Sequence, residues 1–153
     1  YIISQNTALI LHFIWKLQTY KVILSLKIFD YIHSVYNEKL APKISDEQFK
    51  QHKKIKIFIQ VNIAGEVQKS VIDKDSLKDF YSFCINLNLD VVGLMCIPPL
   101  KEAASPHFWF LKKLTEDYGM EATSMGMSND FEVAIEMGAT HVRVGSALFG
   151  SRI

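Results

Sequence analysis

Four residues near the end of the chain have the types and spacing for chemistry: Ser128, Arg143, Gly145 and Ser146. Ser128 stands just before a helical pattern. Free backbone N–H groups and the helix dipole favour negative charge at such a place. Gly145 and Ser146 follow an apolar strand-like run. A glycine there lets a phosphate approach the backbone, and the hydroxyl adds a donor. Arg143 lies within that run, on the strand face opposite Val142 and Val144. If the valines pack under helices, the arginine faces the interior or a ligand. A buried charge also needs a partner. The same residues are more commonly an ordinary helix cap and an ordinary turn, so the residue types alone leave an anion site and plain structure both open.

The elements that would position these residues are legible around them. Residues 122–127 read as a strand. Ser128 and Asn129 read as helix caps, and Asn129 with Glu132 has capping-box spacing. Phe131, Ala134, Ile135 and Gly138 follow a helical rhythm, with Gly138 as its stop. Residues 141–144 form the next strand. Upstream, strands are expected at 11–17, 29–35, 55–63 and 91–97. Helices are expected at 18–26, 37–49 (interrupted early by Pro42), 73–88 and 106–118. In the 55–63 strand, Ile57, Ile59, Val61 and Ile63 share one parity and Phe58, Gln60 and Asn62 the other. The apolar row would pack under helices, leaving Gln60 and Asn62 on the interior of a barrel. Six strands alternating with helices predict an α/β protein with a parallel sheet, and no linker divides residues 1–153, so one domain is expected.

Composition narrows the function classes. The chain has 153 residues with a formal net charge of +1, which points to no nucleic-acid surface. Cys84 and Cys96 sit in apolar contexts without metal spacing, and a reduced, cytoplasmic compartment is expected. The apolar run at 7–15 is interrupted by His12 and falls short of the about 20 residues a membrane span needs, so no membrane partner is expected. His12, His33, His52, His107 and His141 show no metal-binding pattern, so no metal site is expected. His33 and His141 read as satisfied core or rim histidines. Neither a nucleophile elbow nor a Walker loop is present, and no catalytic residue is assigned.

The run S-M-G-M-S-N-D-F-E-x-A-I-E-x-G-A-T-x-V-R-V-G-S-A-L-F-G-x-R, residues 124–152, resembles the C-terminal signature of the pyridoxal-phosphate homeostasis protein family. That family is similar to the N-terminal barrel of alanine racemase. Gly93-Leu94-Met95-Cys96-Ile97-Pro98-Pro99 resembles its G-L-M-x-I-P-P strand. Asn62 with Glu66 and Lys69, and His12-Phe13-Ile14 with Leu17, Gln18 and Lys21, resemble two further segments. The resemblance covers roughly residues 11–153 and implies a (β/α)8 TIM barrel. A complete barrel takes about 250 residues. The expectation is therefore an incomplete barrel of about six parallel strands that lacks the first two and is N-terminally truncated.

The resemblance also implies a cofactor, pyridoxal 5'-phosphate. Ser128, Gly145 and Ser146 would contact its phosphate. Arg143 would face the pyridine nitrogen, and Met95 and Asn62 would line the interior near the ring. The family's Schiff-base lysine lies in an A-V-S-K strand, and no lysine here matches it. Non-covalent binding is therefore expected, with a carrier and regulator role in place of enzymatic activity. The alternative is a non-binding remnant, or one half of a split barrel that self-associates or needs a complementing N-terminal chain. An amino-acid racemase is disfavoured for want of the lysine and an opposing tyrosine. Trp15, Tyr20 and Val71 replace a glycine, an asparagine and a glycine of the family pattern, so Trp15 and Val71 would strain loops that need φ > 0.

Overall fold

The computed structural model describes residues 9–65 and 71–150. The elements run β1 (His12–Phe13), α1 (Val22–Ile28), β2 (Tyr31–Val35), α2 (Leu40–Gln51), β3 (Lys56–Asn62), β4 (Ile72–Asp73), α3 (Leu77–Asn86), β5 (Asp90–Met95), α4 (Ala104–Asp117), β6 (Ala122–Met127), α5 (Phe131–Glu136), β7 (His141–Arg143) and α6 (Ser146–Phe149). Every strand pairing is parallel, in the order β1-β2-β3-β5-β6-β7, with the short β4 set against the end of β3. This is an α/β half-barrel of six strands in sequence order, an incomplete TIM barrel.

Burial of one face of each strand drives the arrangement. Ile57, Ile59 and Val61 join the core shared with Leu26, Ile44, Leu77 and Phe108 of the surrounding helices. Phe58, of the other parity, turns inward and stacks on His33 with ring centroids 4.3 Å apart. The predicted parity of β3 thus matches its two faces. On α4, Phe108, Leu111 and Thr115 recur at helical spacing and are fully buried.

Three local expectations need correction. The first strand is only His12–Phe13, because the chain then turns: Trp15 is exposed and Leu17 drops into the core. Pro42 does not interrupt α2. It occupies the third helical position, where a backbone N–H has no intrahelical partner to lose. Asn37 starts that helix by accepting the N–H groups of Lys39 and Leu40 at 3.1 and 2.9 Å. Finally, Ser128 and Asn129 do not cap α5. Its N-cap is Asp130, whose Oδ1 instead accepts the Met127 N–H at 2.6 Å, and no capping box forms.

Candidate functional site

The C-terminal ends of the strands surround a cleft of about 1150 Å³. His12, His33, Gln60, Met95 and Arg143 line it from five strands, and Ser128, Gly145 and Ser146 line it from the loops after β6 and β7. In a parallel α/β sheet, ligands bind at this end.

The Ser128 hydroxyl oxygen accepts two backbone N–H groups, from Gly145 at 3.1 Å and Ala147 at 3.3 Å. Both lone pairs are then used, and the hydroxyl proton is the group it can offer to a ligand. The same bonds tie the turn after β7 to the turn after β6. Gly145 has a negative φ, and a Cβ placed on it would meet no protein atom within 4 Å. Protein crowding does not account for a glycine there, and the space beside it is open. Ser146 opens α6 alongside, exposed to solvent.

Arg143 is buried, at 8% exposure. Its Nη1 donates to Ser124 Oγ at 2.8 Å and its Nη2 to the Cys96 carbonyl at 2.8 Å. Burial lowers its pKa, and Asp130 is among the groups opposing that shift. The arginine is the inward residue of β7, as alternation predicts, although Val142 on the other face is 37% exposed. A guanidinium has five N–H donors, so two bonds leave it able to donate to a ligand acceptor.

Beside Arg143 lies a group of imidazoles, of which His33 and His141 read from the sequence only as core or rim residues. His33 shares hydrogen bonds with Ser124 Oγ at 2.7 Å through Nδ1 and with His12 Nδ1 at 2.8 Å through Nε2. The rings of His12, His33 and His141 lie 5.1 to 5.6 Å apart. Burial drives the His33 pKa down to about 3, helped by His12, His141 and Arg143. Burial also lowers His12, which Asp30 partly opposes, and His141, on which His12 acts in the same direction. Around neutral pH the three rings are neutral beside one guanidinium. The available signal was strand parity: His33 shares its inward face with Tyr31, as Gln60 does with Phe58.

The remaining expected site residues separate. Met95 lines the cleft and is 1% exposed. Asn62 is buried at the end of β3, donates to Asp73 Oδ1 at 3.1 Å, and is not among the residues lining the cleft. Glu66 and Lys69 lie outside the described residues. Trp15 and Val71 line the cleft, and Trp15 does not have positive φ, so a left-handed backbone does not strain it. They widen the apolar lip formed with Ile14, Ile97 and Leu100. Tyr20 points outward, its hydroxyl donating to Gln18 at 2.7 Å. Among the described residues, no cluster of His, Cys, Asp or Glu could hold a metal ion, and no helix is long and apolar enough to cross a membrane.

The family model for the alanine racemase N-terminal domain matches residues 4–153. A pyridoxal phosphate homeostasis protein from Pasteurella multocida is 33% identical over 163 residues, covering 99% of this chain and 70% of its own length. The chain belongs to the pyridoxal phosphate homeostasis protein family. Its relative of that name in Aquifex aeolicus is 40% identical over 151 residues, covering 92% of this chain and 66% of the relative, so the chain spans about two thirds of the length of these relatives. PipY of Synechococcus elongatus, solved with PLP bound, is 27% identical with a TM-score of 0.86, covering 97% of this chain and 74% of PipY. The fold of the half-barrel is therefore shared with the family. The motif residues 124–150 supply β6, β7 and the two turns that meet at Ser128.

Proposed function

We infer that this chain binds pyridoxal 5'-phosphate reversibly and non-covalently in the cleft, and serves the homeostasis of that cofactor without catalysing a reaction of its own. Ser128, Gly145 and Ser146 hold the phosphate, Arg143 faces the ring nitrogen, and Met95 packs beside the ring. Asn62, turned towards Asp73, buttresses the wall from β3. The observation that carries this reading is Gly145. Its missing side chain leaves open space in the cleft next to a serine hydroxyl and a buried arginine, with no requirement from packing. The name of the family and the PLP bound to PipY support the same reading.

When bound, the cofactor brings an aldehyde and an electron-accepting ring. This chain's residues do little to use the second. Arg143 stays protonated and donates, so it leaves a ring nitrogen unprotonated and a weak electron sink. Lys16 is the one lysine among the described residues that line the cleft, and its ammonium sits 5.3 Å from the centre of the Tyr36 ring. The reading assigns it no covalent role. The buried Cys84 and Cys96 suit a cytoplasmic protein.

The phosphate should then matter more than the aldehyde. In a titration followed by calorimetry, pyridoxine phosphate is expected to bind about as tightly as pyridoxal phosphate, and unphosphorylated pyridoxal much more weakly. Borohydride treatment of the loaded chain should leave its intact mass unchanged. A phosphopyridoxyl mass on one specific lysine would overturn the non-covalent reading, and no binding of either phosphate ester would overturn the cofactor site.

A further inference from the structure

Polar side chains on the wall of the cleft form one hydrogen-bonded line, of which the cofactor reading uses only Arg143. It runs from Arg143 on β7 through Ser124 on β6 and His33 on β2 to His12 on β1, with links of 2.8, 2.7 and 2.8 Å. Its direction follows from which atoms carry hydrogens. Arginine can only donate, so Ser124 Oγ accepts at that end. Ser124 is fully buried, and its own proton needs an acceptor. Nδ1 of His33 supplies one, so the His33 proton resides on Nε2 and is donated to Nδ1 of His12. His12 in turn carries its proton on Nε2. In the opposite direction, Arg143 and His33 would both donate to Ser124, and the serine proton would have no acceptor along the line.

We propose that Ser124 and His33 are positioning residues for Arg143, holding its guanidinium plane in the cleft through a line of hydrogen bonds with a single direction, Arg143 to Ser124 to His33 to His12. This rests on the reading that Arg143 meets the ligand. The surroundings favour the neutral, directed form. His33 is faced by His12 from β1, Phe58 from β3, Ser124 from β6, and His141 and Arg143 from β7. None of these is an anion. Asp30 acts on His12 and is not among the groups acting on His33. A proton added at Nδ1 of His33 would take away the acceptor of the Ser124 hydroxyl and place a second cation near Arg143. The cation in this corner of the cleft is therefore the guanidinium, held by Ser124 on one side and the Cys96 carbonyl on the other.

The test begins with nitrogen-detected NMR of the histidine rings in the unliganded 153-residue chain. His33 is expected in one neutral tautomer, protonated at Nε2, and still neutral at about pH 5, well below the ordinary histidine pKa of about 6.5. A proton on Nδ1, or titration near the ordinary value, would overturn the proposal. The second arm compares His33→Leu with His33→Asn, with pyridoxal phosphate as the probe. Asparagine can still accept the Ser124 proton and leucine cannot. His33→Leu should weaken binding by about tenfold, the scale of one hydrogen bond to a charged group, and His33→Asn should recover most of that loss. Equal losses in folded variants would overturn the positioning role. If the wild-type chain binds no pyridoxal phosphate, the cofactor reading fails, and the tautomer of His33 still decides the direction of the line. The same measurement on the wild type decides it if the variants do not fold.

Discussion

At the scale of single residues, the site concentrates its electrostatic cost in three imidazoles packed around one guanidinium. His33 has a folded-state pKa of about 3 against an ordinary value of 6.5. Between those values the unfolded chain binds more protons than the folded one, so stability falls as pH drops from about 6.5 towards 3. His12 and His141 shift in the same direction and add to the slope. Each histidine can contribute at most about 1.4 kcal/mol per pH unit in that window. Denaturant midpoints measured from pH 7 to pH 4 are expected to fall, and to fall less in His33→Asn. The two serines should behave unequally. Ser146→Ala should weaken binding of pyridoxal phosphate by about 1 kcal/mol, one hydrogen bond. Ser128→Ala should cost more, because the N–H groups of Gly145 and Ala147 also lose their acceptor. Isothermal titration of both variants checks the order. Arg143 and the two turns were legible in the sequence because their meaning is local: alternation along a strand, a hydroxyl before a helix, a glycine after a strand. The contact of His33 with Ser124 was not, since it joins residues 91 apart that only the curvature of the sheet brings together.

At the scale of elements, glycines show where strand and helix must approach closely. Gly126 in β6 has φ +90, and a Cβ there would lie 2.5 Å from the Cβ of Ala134 on α5. This close approach seats α5 against the strand just before Ser128. Gly119, between α4 and β6, has φ +67 with open space around it. Gly119→Ala should therefore cost about 1 kcal/mol, the penalty of the left-handed backbone alone. Gly126→Ala should cost that plus about 1 to 3 kcal/mol of overpacking. Thermal unfolding of the two variants side by side separates these contributions, and equal melting temperatures would contradict the close-approach argument. Periodicity made most elements readable, because β3 and α4 bury one side of a regular repeat. It failed where an apolar run is not regular structure. Residues 11–17 look like a strand, yet only His12–Phe13 pair, since Leu17 reaches the core from a turn. Periodicity cannot tell a buried strand from a buried irregular segment of the same composition.

At the scale of the whole molecule, the question is what the sheet and its helices leave uncovered. A parallel sheet is stable when both faces are covered. Among the described residues, β1 and β7 each pair on one side only. An exposed edge is a template for association, but a short edge is a poor one. Here β1 has two residues and β7 three, so edge-to-edge pairing offers few hydrogen bonds. Exposed apolar side chains lie beside β1. Ile23 and Leu24 on α1 are 44% and 62% exposed, and Ile10 and Trp15 flank β1 at 62% each. Exposed apolar surface of this kind drives contact between copies more strongly than a two-residue edge can. The 153-residue chain by itself is therefore expected to self-associate through the α1 face. Sedimentation velocity at rising concentration should show a dimer or larger species. The double change Ile23→Lys and Leu24→Glu should return it to monomer, while adding a lysine at Val142 on β7 should leave association intact. A wild-type chain that stays monomeric at high micromolar concentration, or association abolished from the β7 side alone, would show that α1 is not the surface that matters.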